Sequence, residues 1–217
     1  MEKQQVLDAL KEVKKQQGKK NFKQSVDLII NLQNLDLKKT EHQVEFFVNL
    51  QHGKGRLNKL CALVGPELKD EALKVFDRTI EAEEFEKIAQ DKKAQKKLAE
   101  QFDFFVAQAN IMAKVASAFG RTFGPRGKMP NPKAGCVIPP KAQLKPIYEK
   151  LQRTIRVKAK TNLTVQVPIG DEMLDDEKLA DNFLNVYNSL INALPAHENN
   201  LKSVFLKLTM GKPIKLL

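Results

Sequence analysis

Leu60-Cys61-Ala62-Leu63-Val64, followed at once by Gly65-Pro66, is apolar at every position up to the glycine. Such a run suits a strand buried on both faces, the usual state of strands in parallel sheets covered by helices. Gly65-Pro66 then opens a helix, with proline in its first turn. Farther along, Asp77–Ile80 reads as a second short strand, Glu83–Gln101 as a charged helix and Phe102–Val106 as another apolar strand. Asn110 is placed to cap a helix through Ala118. Strand and helix alternate through this stretch as they do in a parallel sheet of βαβ units. Residues 57–151 are expected to form a small, Rossmann-like α/β domain.

The flanks follow other periods. Glu2–Gln17 carries Val6, Leu7, Leu10 and Val13 at helical spacing, and Gly18 stops it. Ser25–Leu37 is ambiguous, with Val26, Leu28, Ile30 and Leu32 alternating as a strand would. Gln43–Leu50 is a clearer strand, and His52-Gly53-Lys54-Gly55-Arg56 is a loop. Beyond Gln152, two alternating runs (Ile155, Val157, Ala159 and Leu163, Val165, Val167) flank Thr161-Asn162 and predict a β-hairpin. Asp176 is placed to cap a helix whose stripe runs from Leu179 to Leu194, ended by Pro195. Ser203–Met210 closes the chain as a strand. The expected fold class is α/β and α+β in two domains: a discontinuous α+β domain, 1–56 plus 152–217, interrupted by the insert at 57–151.

The chain has 217 residues and a net charge of +11. Residues 105–161 hold twelve basic side chains against one acid, Glu149, so this window carries the whole excess. A 42% hydrophobic content is too high for a disordered polyelectrolyte, and 29% charged too high for a membrane protein. No apolar run is long enough to span a bilayer, and the polar, Lys-rich start lacks the core of a signal peptide. Cys61 and Cys136, each in apolar surroundings, point to a reducing compartment without disulfides. A cytoplasmic protein that meets polyanions fits these facts.

Catalytic, cofactor and metal readings find little support. Phe119–Gly135 holds three prolines and four glycines, which argues against regular structure, and carries Arg121, Arg126, Lys128 and Lys133 with no acid. A phosphate-binding P-loop would place Ser or Thr after Gly-Lys, but Gly127-Lys128 is followed by Met129. No GxGxxG follows any strand, His42, His52 and His197 show no metal-ligand spacing, and neither cysteine has a CxxC partner. What remains is a basic loop able to meet a phosphate backbone. No enzyme activity and no cofactor are expected.

Gly124-Pro125-Arg126-Gly127-Lys128-Met129-Pro130-Asn131-Pro132-Lys133-Ala134-Gly135 resembles the signature of the large-subunit ribosomal protein L-one family, whose members build the mobile stalk beside the tRNA exit site. Further similarities run along the chain. Asn21-Phe22 with Ser25-Val26-Asp27-Leu28 resembles the family's Phe-x-x-Thr/Ser motif, and His52-Gly53-Lys54-Gly55 its His-Gly-x-Gly turn. Lys160-Thr161 sits where the family has an Asp-Lys-Thr-Gly hairpin, and Leu208-Thr209-Met210-Gly211 resembles its Thr-Met-Gly end. Gln51 stands where a proline usually precedes His-Gly, Ser25 replaces the commoner Thr, and Ala159 and Asn162 replace the Asp and Gly of the hairpin. Lys212 between Gly211 and Pro213, with an intact Met-Pro-Asn-Pro-Lys, resembles the archaeal type.

The resemblance implies a ribosome-associated, cytoplasmic protein, monomeric when free. It would bind large-subunit ribosomal RNA, assist release of deacylated tRNA from the exit site and repress translation through its own messenger RNA. The alternative is a free RNA-binding regulator without a ribosomal role. The RNA site it implies lies on the discontinuous domain, at Phe22, Ser25, Lys158, Lys160, Thr161, Thr209, Met210 and Gly211. Arg121, Arg126, Lys128 and Lys133 would make secondary basic contacts. Hydroxyls can pair with ribose 2′-OH groups and phosphates, Phe22 and Met210 offer flat or polarizable surface, and Gly211 would allow close backbone approach. Apolar residues on a patterned strand ordinarily pack in the core, so only the resemblance assigns Phe22 and Met210 to RNA.

Overall fold

The computed structural model describes residues 1–15, 20–39 and 42–217. In chain order the first elements are α1 (Lys3–Lys15), β1 (Ser25–Leu32), β2 (Val44–Asn49), β3 (Leu60–Val64), α2 (Lys69–Val75), β4 (Arg78–Glu81), α3 (Phe85–Gln90), α4 (Lys92–Gln101) and β5 (Phe104–Gln108). There follow α5 (Met112–Arg126), β6 (Val137–Ile138), α6 (Leu144–Arg153), β7 (Thr154–Ala159), β8 (Thr164–Asp171), α7 (Asp176–Ala193), β9 (Leu201–Leu208) and β10 (Ile214–Lys215). The predicted end of the first helix, Gln16 to Gly18, lies outside the described residues. Two compact units emerge, Met1–Arg56 with Arg153–Leu217, and Leu57–Gln152. The sheets are of both kinds, parallel and antiparallel. No helix among the described residues is long and apolar enough to cross a membrane.

The unit made from the chain ends contains an antiparallel sheet, ordered β10-β9-β1-β8, and a separate antiparallel ribbon of β2 and β7. β1 resolves the ambiguous stretch as a strand: Val26, Leu28, Ile30 and Leu32 are buried while the residues between them are half-buried. Val165, Val167 and Ile169 from β8 and Val204, Leu206 and Leu208 from β9 join the same core, with Leu10 of α1 and Phe183, Val186 and Leu190 of α7. Period-2 burial on three strands leaves the alternate side chains on the opposite face of the sheet.

Two expectations for this unit are corrected. The predicted hairpin does not form a ladder, because β7 pairs with β2 (Ala159 opposite Val44) and β8 with β1 (Thr164 opposite Asn31). A two-residue hairpin turn favours positive φ, and neither Thr161 nor Asn162 adopts it. The segment Lys160–Leu163 instead carries the chain from the ribbon to the sheet. Asp176 does not cap α7; it is the helix's first residue and pairs with Lys14 Nζ at 2.6 Å.

The middle unit is a four-stranded parallel sheet, ordered β4-β3-β5-β6. All five residues of β3 are buried. Against the sheet lies an aromatic cluster of Phe85, Phe105, Phe119 and Phe123, with centroids 4.4 Å apart for Phe105–Phe123 and 5.0 Å for Phe119–Phe123. Gln108, wholly buried at the end of β5, accepts from Gly65 N at 2.9 Å and donates to Glu67 Oε2 at 3.2 Å. Its side chain thus fills the place beside β3 where open α/β sheets commonly receive a ligand.

Three predicted elements differ in this unit. The charged helix is two helices, α3 and α4, because Asp91 leaves helical geometry and its carboxylate caps Lys93 N and Ala94 N at 2.8 and 3.2 Å. Asn110 caps nothing and lies exposed in a short 3-10 turn ahead of α5. α5 continues to Arg126, well into the stretch expected to be irregular. Burial of Val115, Phe119 and Phe123 at helical spacing outweighs the glycines, and Pro125 falls in the final turn. Gly127, at φ 63°, ends it: Gly127 N and Lys128 N donate to Gly124 O and Phe123 O, both at 2.9 Å.

Candidate nucleic-acid interface

β1 and β9 are neighbours with Val26 opposite Leu208, so the next residues outward, Ser25 and Thr209, meet on the face away from the core. They share a compact set of bonds. Thr209 N donates to Ser25 O at 3.1 Å, Ser25 N donates to Thr209 Oγ1 at 3.1 Å, and the two hydroxyls lie 3.0 Å apart. Ser25 Oγ also donates to Asp27 Oδ1 at 3.1 Å. Burial pushes the Asp27 carboxyl above its ordinary value, against the Ser25 hydrogen bond and the charge of Lys207, which stands opposite it on β9. Two hydroxyl protons face several acceptors here, so the pair can reorient toward a ribose or phosphate without losing its backbone bonds.

Phe22 is 50% and Met210 66% exposed, on the chain segments flanking this pair. Neither is core, although both are the residue type that patterning would bury. Gln24 holds the segments together: its buried side chain accepts from Met210 N at 3.1 Å, and its carbonyl accepts from Glu172 N at 3.0 Å. Sequence reasoning missed Gln24, since a lone glutamine between Lys23 and Ser25 carries no signal of burial. Gly211 closes the turn after β9. Its N donates to Leu208 O at 2.9 Å, and a Cβ there would come within 3.2 Å of Leu208 Cβ, a tight fit.

The expected site does not converge on one spot. Thr164, just after the Lys160–Leu163 connection, pairs with Asn31 at the far end of β1, whereas Ser25 pairs with Asp171. Six residues of strand put the two ends about 20 Å apart. Lys158, Lys160 and Thr161 therefore belong to a second cluster. At that end Asn31 Nδ2 donates to Ser203 Oγ at 2.9 Å and Thr164 Oγ1 donates to Asn31 Oδ1 at 3.0 Å, a second polar row across β9, β1 and β8. The two clusters are linked by the outward side chains of one sheet.

The basic residues of the middle unit divide as well. Arg121 and Lys133 are exposed, and Arg126 lies 3.8 Å from Glu100. Lys128 is tied into the fold at the same time. Its ammonium donates to Phe102 O at 2.9 Å and Asp103 O at 3.1 Å, tying the end of α5 to the start of β5. Asn131 Oδ1 accepts from Lys133 N at 2.9 Å and stiffens the loop that presents Lys133.

Known proteins resemble the chain along nearly its whole length. The family model described as the ribosomal protein L1p/L10e family matches residues 10–212. The large ribosomal subunit protein uL1 of Thermococcus kodakarensis is 40% identical over 216 residues, covering 99% of this chain and 98% of its own. That of Nanoarchaeum equitans is 42% identical over 209 residues, covering 94% and 96%, and that of Pyrococcus abyssi is 37% identical over 216 residues, covering 99% and 96%. The chain belongs to the ribosomal protein L1p/L10e family.

Proposed function

We propose that the protein is a structural component of the large ribosomal subunit in the cytoplasm and grips its ribosomal RNA through the unit built from the two chain ends. The observation that carries this reading is the Ser25–Thr209 pair set between two exposed apolar side chains, Phe22 and Met210. Exposed aromatic and thioether surface beside hydroxyls suits bases and sugars better than it suits water. The names of the archaeal relatives, all large ribosomal subunit proteins, support the same partner.

On this reading the middle unit is an inserted, Rossmann-like domain with a separate task. Arg121, Arg126 and Lys133 would meet exit-site tRNA by charge, assisting its release once deacylated. The free protein, a monomer, would also bind its own messenger RNA with the ribosomal surface and repress translation. The test is Met210→Asp, which places a carboxylate against RNA while disturbing no core contact. Binding to a large-subunit ribosomal RNA fragment carrying the stalk element should weaken by more than about tenfold with the thermal midpoint unchanged. Unchanged affinity would move the site elsewhere.

A further inference from the structure

From Ile155 onward β7 alternates. Ile155, Val157 and Ala159 are buried, Arg156 and Lys158 project from the other face, and Lys160 follows directly after the strand. Across the ribbon, Glu45 stands opposite Lys158 and reaches diagonally both ways along β7. Arg156 holds its Oε1, with Nε donating at 3.0 Å and Nη2 closing on the same atom, while Lys160 Nζ pairs with Oε2. Each carboxylate oxygen is thus taken by a different cation. Burial pushes the Glu45 carboxyl up, but the hydrogen bonds from Lys160 and Arg156 outweigh it and hold the group below its ordinary value. The Glu45 side chain as a whole is about one-fifth exposed.

We propose that Glu45 sets the RNA selectivity of the β2–β7 ribbon by occupying a seat that a phosphate of unrelated RNA would otherwise take. This rests on the reading that the unit binds RNA. Two cations held on the two oxygens of a delocalised anion form a seat for a phosphate as well as for a carboxylate, since both offer paired acceptors with shared charge. With Glu45 in place, an approaching phosphate must displace a carboxylate and gains little by the exchange. Unrelated RNA, which brings phosphates alone, is held weakly. RNA held by the Ser25–Thr209 end does not need this seat, so it binds without displacing the carboxylate. Glu45 is therefore a specificity residue through the counter-charge it supplies, and Lys158, opposite it on β7, adds long-range attraction.

The experiment compares wild type with Glu45→Gln on two ligands, the large-subunit ribosomal RNA fragment and an unrelated RNA duplex, over a series of KCl concentrations. Glu45→Gln should bind the unrelated duplex about five- to tenfold more tightly, with the slope of log K against log salt steeper by about one, and should change fragment affinity by less than about twofold. Preference for the fragment then falls. An unaltered slope and unaltered duplex affinity, in a protein whose wild type prefers the fragment, would overturn the proposal and leave Glu45 an ordinary structural ion pair. In an Arg156→Gln, Lys160→Gln background the gain from Glu45→Gln should disappear, and its persistence would equally defeat the idea. A wild type with no preference for the fragment would instead overturn the underlying RNA reading.

Discussion

Ser25 and Thr209 touch through their hydroxyls although 184 positions separate them, and the contact exists because β1 and β9 are neighbours. Single residues of this kind are the hardest to read from sequence. Phe22 and Met210 look like core residues by type, and their exposure follows from standing just beyond the ends of strands, where alternation no longer applies. Gln24 and Glu45 gave no signal either, since each owes its role to partners far along the chain. Asp27 has a consequence that can be measured. Its raised carboxyl keeps a proton in the native state at pH values where the unfolded chain has lost it. Stability therefore falls as pH rises from the ordinary carboxylate value through the raised one. Asp27→Asn removes that part of the slope, so its urea midpoint should gain on wild type as pH rises above the ordinary carboxylate value. Parallel curves for the two proteins would contradict the burial argument.

At the scale of elements, continuous or alternating apolar runs are readable: β3 and β2 lie where the residue pattern puts strands, whereas the pattern over β1 is ambiguous. Boundaries and pairings are not. Asp91 splits a helix that charge pattern alone would leave whole, and β7 and β8 pair with β2 and β1 instead of each other. α5 is the instructive case, because composition predicts a break at its glycines and Gly127 alone ends the helix. A Cβ at Gly120 would meet nothing within 4 Å and the residue sits in helical geometry, whereas Gly127 holds φ 63° to close the final turn. Gly120→Ala should stabilise the protein by about 0.5–1 kcal/mol by restricting the unfolded chain. Gly127→Ala should cost about 1–2 kcal/mol, the penalty for a Cβ in left-handed geometry. Urea unfolding measures both, and the two effects should differ in sign.

For the whole molecule, net charge pointed to a class of partner and away from the residues on which the RNA reading now rests. Most of the positive window falls in the parallel unit, while Ser25, Thr209, Phe22 and Met210 all lie outside it. The division into units also separates the cysteines, since Cys61 and Cys136 are both buried in the parallel unit. Burial pushes their thiols up to about 12 and about 11, so neither is a thiolate at neutral pH. A thiol-reactive dye should label both only as that unit opens in denaturant, while unfolding of the other unit passes unlabelled. Rapid labelling of either cysteine in native buffer would contradict this.

The order in which strands are joined has a consequence for synthesis. β1 lies between β8 and β9, whose residues leave the ribosome more than a hundred positions later. The parallel sheet draws on residues 60–138 alone and can close while the rest of the chain is still being made. During that interval β1 has both edges unpaired and Val26, Leu28, Ile30 and Leu32 uncovered, as any central strand does before its partners arrive. The surface carrying Ser25 and Thr209 cannot exist until β9 has emerged, so a nascent chain truncated before Leu201 holds a finished middle and lacks the Ser25–Thr209 pair altogether.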